Sequence, residues 1–224
     1  RGRHGACDRE GMPGRANHDP DARRHLQCAA LECHGLCHCA CESLGDHFQI
    51  AEVPNVAEDG GELIAELPPL GGKATVERIA VNSVMAGCLP EYMPVIITAI
   101  QAMMEDRFNL RGVMCSTGIH TPLVIVSGPI TKELDINGGY NCFGAGWRAN
   151  ATIGRAVKLV LVNLGGAIPG ETNKATFGHP GAYTYCVAED QEINPWEPLH
   201  TDAGLVASDS AVTVFPAEAP HNIM

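Results

Sequence analysis

The sequence predicts a single α/β domain over residues 50–215, with a small aliphatic sheet and about three principal helices. Three observations carry that prediction. Apolar residues recur at helical spacing in three stretches, 76–84, 96–104 and 153–164. Leu123-Val124-Ile125-Val126 is an unbroken apolar run, as expected of a central strand covered on both faces. Aromatics make up 5% of the chain while Gly (25) and Pro (15) are frequent, so the core is aliphatic and the turns are many. A chain of 224 residues is long enough to bury one good core.

Residues 1–49 are a different kind of sequence. Residues 1–50 hold six of the ten Cys, six of the ten His, six Arg and no Lys. Cys28, Cys33, His34, Cys37, His38, Cys39 and Cys41 crowd into one short cluster. Thiolates and imidazoles at this density can bind zinc, although a zinc site wants two ligand pairs separated by a loop. The phrase Cys33-His34-Gly35-Leu36-Cys37-His38 is also close to a haem-attachment sequence, with one residue too many between the cysteines. Three readings stay open: a disordered leader or translated upstream segment, a metal-binding cluster, and a disulfide cluster. Because the chain starts at Arg1, it reads as a fragment, a processed chain or an open-ended reading frame.

Residues 47–74 read as a linker into the domain, with a turn at Glu58-Asp59-Gly60-Gly61 and a short strand, Leu63–Leu67, stopped by Pro68-Pro69. From Thr75 to Met104 the pattern is helix, corner, helix. Val76, Ile79, Ala80, Ser83 and Val84 form the first apolar face; Gly87 ends it; Pro90 and Pro94 suit the first turn of the next helix, whose apolar face is Ile96, Ile97, Ile100, Met103 and Met104. Val113–Thr117 suits a strand, Leu123–Val126 is the central strand, and Thr131–Leu134 a short helical turn. A Gly-rich stretch, 136–150, feeds a helix over 151–164 with Ile153, Ala156, Val157, Val160, Leu161 and Leu164 on one face. Ala182–Ala188 and Ala211–Phe215 read as strands, and residues 216–224 as a tail. Met85, Met93, Met103 and Met104, with Cys115 and Cys186, read first as core.

The net charge of −11 argues against nonspecific nucleic-acid binding and against an anionic membrane surface. Almost all of it belongs to residues 51–224, where nine Lys and Arg face nineteen Asp and Glu. No apolar run reaches the roughly 18 residues of a transmembrane helix, and no apolar segment follows the N-terminal arginines as in a signal peptide. The four cysteines of residues 51–224 are widely spread, which suits a reducing cytoplasm better than a disulfide framework.

Candidate chemistry centres on Cys88. At the start of a helix, orphan N–H groups and the helix dipole favour negative charge, and cysteine pKa values tend to fall. Cys88 is therefore the candidate reactive thiol, with Glu91 or His120 as proton handler, against the alternative of a small buried thiol at a helix joint. The Gly-rich loop offers backbone N–H groups to an anion through Asn137, Gly138, Gly139, Asn141, Gly144 and Gly146, with Arg148 as a fork for carboxylate or phosphate and Asn150 beside it. It is neither a Walker loop nor a full dinucleotide fingerprint, and its alternative reading is a tight turn using Gly for geometry alone. Tyr92, Trp196, Glu197 and His200 complete the candidate substrate-binding set. No metal ligands stand out in residues 51–224, and no cofactor is specified.

The phrases Ala80–Pro94, Leu123–Ile130, Arg148–Ala156 and Pro195–His200 together resemble bacterial proteins associated with the UGSC (selenocysteine-Gly-Ser-Cys) family. The resemblance spans about residues 62–202 in one order and concerns the part of such proteins downstream of, or separate from, the UGSC motif; neither UGSC nor CGSC occurs here. It implies a cytosolic bacterial protein linked to thiol or selenol redox chemistry. The resulting expectation is a thiol-dependent, oxidoreductase-like enzyme acting on a small anionic molecule. The alternative is a non-catalytic structural or substrate-binding subunit of a redox complex. Partners are then a small-molecule substrate and either a second copy of the chain or a redox partner subunit, with no nucleic acid and no membrane.

Overall fold

The computed structural model describes residues 49–53 and 59–221. The cysteine and histidine cluster at 28–41, with its metal and disulfide readings, lies outside the described residues. In chain order the elements are β1 (Gln49–Glu52), β2 (Leu63–Leu67), β3 (Gly72–Thr75), α1 (Val76–Ala86), α2 (Met93–Met103), α3 (Leu110–Met114), β4 (Thr121–Ser127), α4 (Ile130–Glu133), α5 (Arg148–Asn163), β5 (Cys186–Ala188) and β6 (Ala211–Ala217). Short 3-10 turns, Pro90–Tyr92 among them, punctuate the loops.

The main sheet runs β1-β6-β4-β5, and β2-β3 is a separate hairpin. β4 pairs antiparallel with β6 from Thr121↔Ala217 to Ser127↔Ala211, and parallel with β5 from Val124↔Cys186 to Val126↔Ala188. Pro122 and Pro216 face each other across the central pair. Sheets admit proline where no further ladder needs its N–H. Here β5 pairs only with Val124–Val126 and β1 only with Ala211–Val214, so both prolines lie beyond their outer neighbours.

The apolar run in β4 does what its sequence demands: Val124 and Val126 are fully buried. α2 is apolar on nearly every side, and eight of its eleven residues are buried, the pattern of a core helix rather than a surface one. It packs on β1 and β6. α1 lies along α5, and Asn163 Nδ2 donates to Asn82 Oδ1 at 2.7 Å where the end of α5 meets the middle of α1. The three principal helices are therefore α1, α2 and α5, around an aliphatic sheet, in one α/β domain. Among the described residues no helix is long and apolar enough to cross a membrane.

Several local expectations are corrected. Val113–Thr117 is not a strand. Asn109, at φ 51°, accepts the Gly112 N–H at 3.2 Å and starts α3, which buries Val113 and Met114 and leaves Cys115 exposed beyond its end rather than in the core. An apolar run this short fits either periodicity, and a local cap decides it. Of Ala182–Ala188 only Cys186–Ala188 forms a strand, because the chain is still in the 3-10 turn Pro180–Ala182, with the Tyr183 N–H bonded back to Pro180 O. Residues 47–74 are more than a linker, since they supply β1 and the β2-β3 hairpin. β6 runs to Ala217, past the expected start of the tail. On α1 the buried residues are Ile79, Asn82 and Ser83, while Val84 and Met85 are 76% and 65% exposed. Met104 is exposed as well.

Candidate functional site

The Cys88 corner is built by the way α1 ends. Gly87 takes φ 89°, a conformation that a residue with a Cβ enters only under strain. Its N–H donates to Val84 O at 3.0 Å, and the Cys88 N–H donates to Ser83 O at 2.9 Å. This paired closure is how a left-handed glycine satisfies the last carbonyls of a helix. The chain then makes the Pro90–Tyr92 turn, and α2 begins only at Met93 with Pro94 in its first turn. Cys88 is therefore not at the start of an α-helix, and its own N–H is spent on α1.

The thiol meets α5 instead. Cys88 Sγ donates to Thr152 O at 3.2 Å, and Arg148 Nε and Nη2 both donate to Gly87 O, at 3.0 and 2.8 Å. Arg148 and Thr152 are four residues apart and share one face of α5. The Cys88 side chain is half-buried. Burial pushes its pKa up, and the Thr152 side chain and the Arg148 charge offset only part of that rise. The expected lowering is corrected, because the field of a helix end fades within one turn and Cys88 lies more than a turn before α2. Behind it Cys186 is fully enclosed, and its pKa is pushed up to about 12, chiefly by burial and secondly by the Cys88 charge. Tyr92 is buried nearby; burial raises its pKa, Arg148 opposes the rise, and Cys88, Asp135 and Glu91 add to it. Glu91 itself is exposed on the turn that follows the thiol.

The Gly-rich loop reaches the same turn of α5 through Asn150. This residue is 5% exposed. Its Oδ1 accepts the Asn137 N–H at 2.8 Å, and its Nδ2 donates to the carbonyls of Asn137, Cys142 and Cys186 at 2.8, 3.2 and 3.2 Å. Asn150 is thus a structural tie rather than an open ligand. The loop spends further groups on itself: Asn137 Oδ1 accepts the Gly139 N–H, and the Asn141 carbonyl accepts the Gly144 N–H. Gly138 presses against the Ala188 carbonyl and the Asp190 N–H, where a Cβ has no room. Gly146 lies exposed just before α5. What stays open to an anion is the rest of the exposed Arg148 guanidinium; the first turn of α5 has no side-chain cap, but Ala149 and Asn150 within it are buried. Arginine has five N–H donors, and the bonds to Gly87 involve only Nε and Nη2.

Glu189 is a further node of this end of the sheet. It follows β5 directly, and its carboxylate accepts from Ser127 Oγ at 2.6 Å, the Leu199 N–H at 2.9 Å and Asn194 Nδ2 at 3.2 Å. It holds the 189–199 segment against the carboxyl ends of β4 and β5, the edge where parallel strands commonly present ligands. The signal for it in sequence was its place, an acid directly after a buried strand; the acids that follow at Asp190 and Glu192 hid it. Thr152 gave no signal, since it acts through its backbone carbonyl and a short side chain.

Cys88, Tyr92, Arg148 and the 137–150 loop therefore converge on the first turn of α5. His120 does not join them. Its ring lies against Gly118, one residue before Thr121 in the chain. Thr121 and Pro122 face Val157, Lys158 and Leu161 of α5, about 8–13 Å along the helix from Thr152 at 1.5 Å per residue. The expectation that His120 handles the Cys88 proton is corrected on that ground. His200 is corrected too: it is fully buried, bonded through Nε2 to Val206 O at 3.0 Å, and cannot meet a substrate. Trp196 and Glu197 are exposed on the rim of the 189–199 segment. Among the described residues no group of three or more His, Cys, Asp or Glu side chains could hold a metal ion. No protein-family model, curated protein or solved structure matches this chain.

Proposed function

We propose that the Cys88 corner is a thiol site for small anionic molecules and that the chain is an oxidoreductase-like, thiol-dependent enzyme. The observation that carries this reading is the joint contact of the Gly87–Cys88 corner with α5, where Arg148 donates to the Gly87 carbonyl and Cys88 donates to the Thr152 carbonyl. A guanidinium with unused donors beside a half-buried thiol holds an anionic group close to the sulfur. The resemblance to UGSC-associated proteins points to the same chemistry. Because burial holds the thiol protonated, the rate climbs with pH as the thiolate forms. The thiolate attacks one sulfur of an anionic disulfide, a mixed disulfide forms, and the other half leaves as a thiolate; a second thiol from solution then regenerates Cys88. Glu91, exposed on the turn that follows Cys88, is the candidate proton acceptor left once His120 is set aside.

The test compares a dianionic aromatic disulfide, 5,5′-dithiobis(2-nitrobenzoate), with a neutral one, 2,2′-dithiodipyridine, and maps mixed disulfides by peptide mass. Expected is a preference of Cys88 for the anionic reagent that disappears in Arg148→Met. Turnover with added thiol should be lost in Cys88→Ser. Equal turnover by Cys88→Ser overturns the reading.

A second reading is favoured by one observation. Val81, Val84 and Met85 on the outer face of α1 are 54%, 76% and 65% exposed, and Leu89, next to Cys88, is 38% exposed. An apolar strip that ends at the thiol suits a non-catalytic subunit whose partner brings the redox centre. Sedimentation of the lone chain, followed by capture of its partner, separates the two, and turnover by the isolated monomer sinks this second reading.

A further inference from the structure

The outer side of the α1–α5 pair combines an apolar strip with a row of cations. On α1, Val81, Val84 and Met85 are 54%, 76% and 65% exposed. They stand at i, i+3 and i+4, so they form one strip along the helix. Single exposed apolar side chains are ordinary. Here three of them lie together on the side of α1 opposite its buried residues Ile79, Asn82 and Ser83. α5 runs beside the strip. Asn163 bonds to Asn82, and Arg148 bonds to the carbonyl of Gly87, two residues past Met85. α5 has no Asp or Glu in its 16 residues. Its unburied side carries Arg148, Arg155 and Lys158, three of the nine Lys and Arg of residues 51–224. Among the described residues no carboxylate forms an ion pair with any of the three.

The charge of this row decides what fits beside the strip. Two copies meeting through the same face across a two-fold axis would bring one cationic row against the other. An anionic bilayer extends far past the row and also meets the rest of a chain whose net charge is −11. An acidic helix touches the row alone, and at about 0.15 M salt charges beyond roughly 8 Å are largely screened from it. Arg148 and Arg155 are nearly two full turns apart, so they lie on one side of α5, about 10 Å from each other along its axis. A helix laid along α5 meets both guanidiniums with two carboxylates at the same spacing.

We propose that the outer side of α1 and α5 docks an acidic amphipathic helix of a partner protein. Its apolar stripe covers Val81, Val84 and Met85, and carboxylates on one flank pair with Arg148 and Arg155. This is the way amphipathic helices are commonly recognised, through apolar anchors at helical spacing, with the flanking charges choosing the partner and its register. The inference rests on the second reading above, in which the strip faces a partner, and it names that partner's chemistry.

The probe is a labelled amphipathic peptide of about five helical turns, with leucines on one face and glutamates seven residues apart on its flank. A second peptide carries lysine in place of each glutamate. Binding to the full chain is read by fluorescence anisotropy at physiological salt, in the Cys88→Ser variant, so that thiol chemistry plays no part. The glutamate peptide is expected to bind about tenfold tighter than the lysine peptide, since two attractions replace two repulsions. Arg155→Glu should reduce or reverse that preference, with a gain for the lysine peptide that an unfolded variant could not show. Val84→Gln, at an exposed position, should weaken both peptides. Equal binding of the two peptides overturns the proposal, as does binding that neither variant changes. So does sedimentation with phosphatidylserine vesicles, or a dimer of the chain, that Val84→Gln abolishes. Turnover by the isolated parent monomer would refute the second reading without altering peptide binding, so the two failures are told apart.

Discussion

Asn150→Ala removes the tie between the Gly-rich loop, β5 and α5, and its effect can be worked from the bonds it breaks. The side chain makes four hydrogen bonds, one through Oδ1 and three through Nδ2, and it is 5% exposed. A typical net contribution is about 1 kcal/mol per bond. The two bonds at 3.2 Å share an NH₂ that has only two hydrogens and count for less than the two at 2.8 Å. Alanine also leaves the Asn137 N–H and the Cys186 carbonyl without this partner near the core. The expected loss is about 2–4 kcal/mol, equivalent to a fall in Tm of roughly 5–15 °C for a domain of this size. Urea unfolding at constant m-value measures the first quantity and a thermal melt the second. Asn150→Asp keeps the Oδ1 acceptor but loses the donors, so it should fall close to alanine rather than to the parent. Amide exchange over 137–145 should quicken in both variants. A loss below ~0.5 kcal/mol with unchanged exchange in the loop would refute the assignment of Asn150 as the tie.

Three further expectations follow from the same structure. Cys186 and Tyr185 are held neutral up to about 12, so the unfolded chain gives up these protons first as pH rises; their contribution to stability is full below the unfolded values near ~8.5 and ~10 and drains toward pH 12, and Cys186→Ala should flatten the alkaline limb of a stability-versus-pH curve. Gly138→Ala forces a methyl against the Ala188 carbonyl and should cost about 1–3 kcal/mol by denaturant titration, the usual range for overpacking. Glu189→Gln can no longer accept from Ser127, Asn194 and Leu199 through two equivalent oxygens; a loss of about 1–2 kcal/mol and faster exchange of the Leu199 amide are expected.

The sequence made the elements with strong periodicity legible. β4 announced itself by four consecutive aliphatic residues, and α1, α2 and α5 by their spacing, because burial of an apolar face is written directly into residue order. The Gly87 stop was legible for the same reason: one residue type alone suits that conformation. What stayed hidden was decided by partners far away in sequence. β1 and β3 are four residues each and gain their identity only from β6 and β2. α3 replaced an expected strand through a cap on Asn109. At the site, the Cys88 corner and Arg148 were both visible as candidates, but their contact across sixty-one residues was not. The helix-dipole argument for Cys88 failed because spacing placed it near α2 without showing that a 3-10 turn intervenes. His120 and His200 looked equivalent as polar residues at the ends of elements, yet one leans on its own turn and the other is sealed inside, a difference only packing sets.

The first turn of α5 explains why the pieces that do converge behave as one unit. Arg148 and Thr152, four residues apart, turn one side of that helix toward the Gly87–Cys88 corner, while Asn150 between them turns the other side toward the loop and β5. A helix turn is rigid against its own ends, so the corner and the loop are fixed relative to each other through three residues and no direct contact between corner and loop is needed. The consequence separates the two sides. Arg148→Met removes the clamp on Gly87 and the positive charge near the thiol, so alkylation of Cys88 should move to still higher pH while exchange in the loop stays at its parent rate. Asn150→Ala should do the reverse, loosening the loop while the Thr152 carbonyl still holds the thiol. If either variant disturbs both sides equally, the turn is not the rigid joint between them, and the site is held together by contacts elsewhere in the core.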